Sequence, residues 1–266
     1  MPHLRHIHAK NFSLFIPQPT SPIAESENQL QTLNGLMLSS CNSEVFLRIP
    51  NLKKLGILLD DSVTTEKSYY SLDHLVHLTQ LEKLKVEFKE NFLLHNRTWT
   101  EDGADDFYPR IQIPHPDKFP PSLKKLTLCR TYLQWEEDMN FLRKLPNLEV
   151  LKLKQSAFHG DIWKLNDEDE EGFLKLKFLL LESMYVKQWE ATSYHFPSLE
   201  HLVLTDCYAL EQIPFDFAEI QTLEVIELHK CMLSVLVSAE QIQEEQRSLG
   251  NDDLALRVNY IHTKFS

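Results

Sequence analysis

Glycine is scarce in this chain: only six occur in 266 residues (Gly35, Gly56, Gly103, Gly160, Gly172 and Gly250), and no two lie near each other. A backbone loop that wraps a phosphate needs clustered glycines, so a P-loop and a dinucleotide-binding fingerprint are excluded. The nucleophile elbow G-x-S-x-G, the zinc motif H-E-x-x-H and a paired C-x-x-C are missing too. The expectation is a non-enzyme that holds no cofactor and no metal. No apolar run reaches the roughly 18 residues that span a bilayer, and the N-terminus lacks an apolar signal-peptide core. That reading predicts no membrane span and a cytoplasmic protein. Basic residues are outnumbered, 27 Lys and Arg against 39 Asp and Glu, for a net charge of -12. A general phosphate-binding surface needs the opposite balance, so nucleic acid is not an expected partner.

What the chain has in abundance is regularly spaced leucine. Phe196 to Cys231 states one pattern twice: Leu199, Leu202, Leu204 and Cys207, then Leu223, Ile226, Leu228 and Cys231 twenty-four residues later. This is L-x-x-L-x-L-x-x-C at relative positions 1, 4, 6 and 9, the leucine-rich repeat pattern. Positions 4 and 6 alternate, so both face one side of a short strand while positions 3, 5 and 7 face the other. One unit cannot bury its own leucines; stacked neighbours can. Leu210, Ile213, Phe217 and Ile220 would pack the outer arc.

Laid along the whole chain, the template gives nine units that begin at Leu4, Leu33, Leu52, Leu81, Leu123, Leu148, Leu176, Leu199 and Leu223. The fold class expected is α/β: an open, horseshoe-like leucine-rich repeat solenoid of about nine irregular repeats, with a parallel β-sheet on its concave face. Residues 1–236 form the solenoid and 237–266 a C-terminal capping helix and strand, with Ser238 to Gln241 read as a capping box and Gly250 as the helix stop. The first unit opens at Met1 inside a strand with no cap before it, which predicts the C-terminal part of a longer protein, or a chain descended from one. His3, His6 and His8 are read as a solvated strand face and not as a metal site. Pro17 to Asn28 is read as a loop, residues 89–119 as a projecting insertion, and the acidic run Asn166 to Gly172 as solvated loop. Cys41, Cys207 and Cys231 share position 9 and are assigned to packing. Trp135, Trp163 and Trp189 recur at similar offsets and predict a stacked aromatic spine.

The template also says which side chains line the concave face. Lys54, Lys83, Lys85, Lys125, Lys152 and Lys154 form a basic ladder through four successive units. Phe178, Leu180, His201 and Val203 follow it as a more apolar patch. A basic ladder beside an apolar patch, on an acidic protein, suits a protein partner. Lysine also solubilises exposed strands, and that reading needs no partner. The regularity of the ladder favours an acidic partner.

The segments MPHLRHIH, FPPSLKKLTLCRTYL, LPNLEVLKLK, FPSLEHLVLTDCYALEQIP and SAEQIQEEQRSLGNDDLALRV resemble the C-terminal leucine-rich repeat region of plant coiled-coil nucleotide-binding immune receptors. The similarity is to the class that includes the late blight resistance proteins of the nightshade family, and it extends over nearly the whole chain. The resemblance implies a disease-resistance module that holds a nucleotide-binding switch domain in check and takes part in sensing a pathogen effector or a guarded host protein. Two alternatives are the substrate-recognition repeats of an F-box ubiquitin ligase, which needs an F-box upstream, and a fragment of a receptor-like protein. The latter class carries L-x-G-x-I-P repeats, where this chain reads LEQIP without the glycine.

Overall fold

The computed structural model describes residues 4–9, 14, 29–59, 72–89, 111–165 and 172–262. Its contacts divide the chain into two compact units, Met1–Leu123 with Leu128–Tyr132, and Lys124–Thr127 with Leu133–Ser266. Both are runs of leucine-rich repeats, each built on parallel strands.

The first unit pairs β1 (His6–His8), β2 (Thr32–Met37), β3 (Lys54–Leu59) and β4 (Lys83–Phe88) side by side. Leu33, Leu55 and Leu84 stand in one row and Ile57 and Val86 in another. All five are at most 3% exposed. Each leucine is covered by its counterpart in the next strand, worth about 1.5–3 kcal/mol apiece. Helix α1 (Ser43–Leu47) follows β2 and starts where the Asn42 side chain accepts the Val45 N–H at 3.0 Å.

The register corrects the frame of the second repeat. Leu33 pairs with Leu55, the fourth residue of its own repeat, so the second repeat begins at Leu30 and not at Leu33. The gaps become 26 and 22 residues in place of 29 and 19. One extra residue, Gly35, bulges out between Asn34 and Leu36 with φ at +88°, a conformation open to glycine, and returns Leu36 to the core. Cys41 therefore leaves position 9, and its thiol donates to its own repeat at Met37 O, 3.5 Å away. Cys207 and Cys231 keep that position; their thiols donate to the preceding strand, at Leu181 O (3.5 Å) and Leu204 O (3.4 Å). Pro17 to Asn28, residues 90–110 of the expected insertion and residues 166–171 of the acidic run lie outside the described residues. The end of that insertion is packed: Ile111, Ile113 and Phe119 are buried.

In the second unit β5 (Lys125–Cys129) contributes its first three residues, followed by β6 (Leu133–Gln134), α2 (Trp135–Leu142), β7 (Val150–Lys154), β8 (Phe158–His159), β9 (Ile162–Lys164), β10 (Phe178–Glu182), β11 (Gln188–Glu190), β12 (His201–Thr205), β13 (Val225–Met232), α3 (Leu233–Ser248) and β14 (Ala255–His262). Strands β7, β10, β12, β13 and β14 run parallel in that order, while β9 with β11 and β6 with β8 form a second, outer layer. At position 8, β7, β10 and β12 are each followed by a left-handed residue, and β13 and β14 each contain one: Gln155, Ser183, Asp206, Lys230 and Tyr260 have φ between +50° and +61°. Such residues cost about 1–3 kcal/mol each. The amides of Gln155, Ser183 and Asp206 offset part of that cost by donating to Glu182, Thr205 and His229 O of the next strand at 2.7–2.9 Å.

The tryptophan spine is present. Trp135, Trp163 and Trp189 stack at centroid distances of 4.7 and 4.6 Å, with Trp163 and Trp189 only 5° from parallel. The capping-box reading at Ser238 is corrected. Helix α3 starts five residues earlier, at Leu233, and Ser238 lies inside it. The Ser238 hydroxyl is buried, donates to Val235 O and accepts the Ile213 N–H at 3.0 Å, so it serves the neighbouring repeat and not the start of the helix. Gly250, with φ at +89° and its amide on Arg247 O, does end the helix.

Gly172 is required for a different reason. A Cβ there would lie 2.6 Å from His195 Cα and 2.7 Å from the carbonyl oxygens of Tyr194 and His195. Backbone cannot step aside as a side chain can, so Gly172→Ala is expected to lower unfolding free energy by about 1–3 kcal/mol. A variant as stable as the parent in urea would remove Gly172 from the packing argument. Burial pushes the Cys207 thiol up to about 12, so a thiol reagent at pH 8 is expected to label it only after unfolding.

Candidate functional site

Positions 3, 5 and 7 of every strand point away from the leucine rows, and the ten residues proposed from the template lie on these outward faces. In the first unit, Lys54 and Lys83 are register partners on adjacent strands, and Lys85 stands two residues beyond Lys83. Among the described residues neither Lys54 nor Lys83 has an acidic partner. Lys85 pairs with Glu87 on its own strand. Arg130 Nη2 also reaches Glu87 at 2.8 Å while its Nε donates to Phe88 O at 2.9 Å. Like charges placed directly opposite each other are destabilising. The Lys54–Lys83 pair therefore keeps a local positive charge that an incoming anion can relieve.

A separate row removes other lysines from play. At position 2, just before the strands, Lys53 reaches Glu82 at 4.0 Å in the first unit. In the second, Lys124 reaches Glu149 at 3.7 Å and Lys177 reaches Glu200 at 2.5 Å.

In the second unit Lys125 is exposed, with no acidic partner among the described residues. Lys152 Nζ sits 5.1 Å from the Phe178 ring centroid, a cation–π contact. Lys154 is neutralised by Glu182 at 2.5 Å. Phe178 is half-buried and its ring lies 5.8 Å from that of His201. Leu180 and Val203 are register partners in the middle of this face, each 8% exposed. They form its floor, and the charged groups around them form its rim.

One rim carboxylate gathers three donors. Glu227 lies 2.9 Å from Arg257 Nη1, 3.4 Å from His201 Nε2 and 3.5 Å from His229 Nε2. Partial burial alone would raise its pKa, but the hydrogen bonds from Arg257, His229 and His201 outweigh it and hold the carboxyl below the usual glutamate range. The template missed the neutralising role of Glu87 and Glu182, although both stand at position 7 of repeats it had framed. It missed Arg257 because β14 carries no leucine pattern of its own to frame it.

Comparison with known proteins finds relatives among plant resistance proteins. The chain is 32% identical over 250 residues to a late blight resistance protein homolog of Solanum demissum, a match that covers 92% of this chain and 29% of that one. It is 31% identical over 250 residues to a late blight resistance protein of the same plant, covering 92% and 17%. A further homolog is 42% identical over 132 residues, 47% of this chain. The chain thus spans less than a third of the length of these relatives. No protein-family model matches it. Among solved structures, a leucine-rich repeat protein of Leptospira interrogans aligns over 89% of this chain and 62% of its own, with a TM-score of 0.39 and 15% identity. An internalin of Listeria monocytogenes aligns over 89% and 77%, at 0.28 and 11%.

The Glu227 arrangement has a pH signature. A carboxyl whose folded pKa is depressed contributes stability above its unfolded value, about 4.3, and loses it as the pH falls through the lower folded value. In urea titrations, wild type is expected to be more stable than Glu227→Gln at neutral pH, and the difference should close as the pH drops below about 4. A difference that persists unchanged into acid would show that Glu227 acts through packing and not through its charge.

Proposed function

Because the chain belongs to the leucine-rich repeat relatives of the late blight resistance proteins, we propose that it is the protein-binding module of an intracellular plant disease-resistance receptor. It acts in the cytoplasm without catalysis, by contact alone. Its partners are a nucleotide-binding switch domain, which it holds off, and a pathogen effector or guarded host protein, which it helps to sense. The observation that carries this reading is the Lys54–Lys83 pair: two lysines in direct register, neither of them ion-paired with an acid among the described residues, on a protein of net charge -12. Other lysines at position 2 and position 7, in both units, have glutamates of their own. The charge left over suits an acidic protein surface, in the second unit through Lys125 and Lys152 as well.

The floor of Leu180 and Val203, with Phe178 and His201 beside it, offers chemistry of another kind. An apolar centre within a charged rim is the usual plan of a recognition surface, where the centre supplies affinity and the rim selects. The two faces can therefore serve two partners, the charged one for the switch domain and the mixed one for the recognised protein.

The test is a binding titration between this chain and a separately produced switch domain from a related receptor, at about 50 and 200 mM salt. Lys54→Glu with Lys83→Glu is expected to weaken binding at least tenfold and to flatten its salt dependence, since two favourable contacts become repulsive. The change Lys85→Glu with Lys154→Glu should matter less, because each of those charges is already neutralised. Equal loss from both pairs would mean that net charge, and not the Lys54–Lys83 position, governs the contact.

A further inference from the structure

Among the described residues, strand β14 ends the parallel sheet of the second unit and pairs on one side only, with β13. Its Ala255 N–H donates to Glu224 O at 2.8 Å. Amides two residues apart on a strand point the same way, so Arg257 and Asn259 also face β13 while Leu256 and Val258 turn outward. Among the described residues nothing receives those outward groups. Natural sheets blunt an open edge with proline, lysine, a bulge or a very short strand. This strand runs Ala255–His262 with a left-handed residue at Tyr260, so its regular stretch is ALRVN; that stretch holds no proline or lysine, and its arginine is engaged with Glu227. Val258 stands in the row of Leu228, a core residue, yet is 44% exposed, and Tyr260 beyond it is 64% exposed. The core rows thus run to the edge and stop uncovered.

The geometry points to the outer edge of β14 as a strand-addition site for an extended segment of a protein partner. The rows say what that segment carries. The Ile226–Leu256 and Leu228–Val258 rows ask for apolar residues, and the Glu227–Arg257 row between them asks for an acid, the partner of an arginine that is itself largely exposed. The occupant is an extended apolar–acidic–apolar stretch, bound through its main chain and selected by its alternate side chains. This site uses none of the lysines invoked above, so it stands or falls independently of them.

The probe is an end-blocked fluorescent peptide, Ser-Val-Glu-Val-Ser, titrated into the full chain, beside a control with lysine in place of its glutamate. Saturable binding of the glutamate peptide is expected, with the lysine peptide up to about fivefold weaker. Val258→Pro removes one outward N–H and no ladder bond, so it should abolish binding and leave the thermal midpoint in place. Arg257→Glu supplies a second readout: it should reverse the preference between the two peptides. The inference is overturned if folded Val258→Pro binds the peptide as wild type does, or if Arg257→Glu leaves the preference unchanged. It is overturned equally if sedimentation shows a dimer in which the Leu256 and Val258 amides are already protected without peptide, since a second copy then occupies the edge.

Discussion

A leucine at position 4 of one repeat can leave water only by lying against the leucine at position 4 of the next. Everything else in the fold answers to that constraint. It demands that successive strands run parallel and in one register, because a slip of a single residue turns every leucine to the solvent side. It also fixes how the chain leaves each strand. In the second unit the left-handed residues at position 8 are strained, but they let the chain turn at the same point of successive repeats, and the amides of Gln155, Ser183 and Asp206 are satisfied by the neighbouring strand.

The same register dictates what a binding face can be. Rows of outward side chains are set at strand spacing, so each residue meets its counterpart from the next repeat before it meets any partner. Where the counterpart is a glutamate, as for Lys154 with Glu182, the charge is spent internally. Where it is another lysine, as for Lys54 with Lys83, the charge remains for something else. A count of lysines on the face therefore overstates its basic character, and the pairings decide it.

This also marks what could be read from the sequence. The repeat, the strand faces and the tryptophan spine follow from spacing alone, since period determines direction. The frame of the second repeat did not, because the extra residue Gly35 moves Leu36 one place out of the true frame, and Leu33, Leu36, Leu38 and Cys41 then match the template from a start three residues late. Ser238 reads locally as a capping residue and is instead the acceptor for Ile213 N–H, a contact 25 residues away that no local pattern encodes. Among the proposed contact residues, Leu180 and Val203 lie on the expected face but form its floor, since neighbours in register shield them. Exposure is a property of the assembled rows and not of a position in the template.

The ion pairs at position 2 carry a consequence for the history of such chains. In the second unit that row opens Lys124, Glu149, Lys177, Glu200, so positive and negative alternate through four repeats before Glu224 follows with the sign of Glu200. Removal of a single repeat would set lysine against lysine or glutamate against glutamate. Removal of two would restore opposite neighbours. Each exposed pair contributes no more than about 1 kcal/mol, yet the bias has one sign at every junction of the alternating stretch. Unequal crossing-over that gains or loses repeats in pairs would pass unnoticed by this row, while odd changes would leave an electrostatic scar for later substitutions to mend.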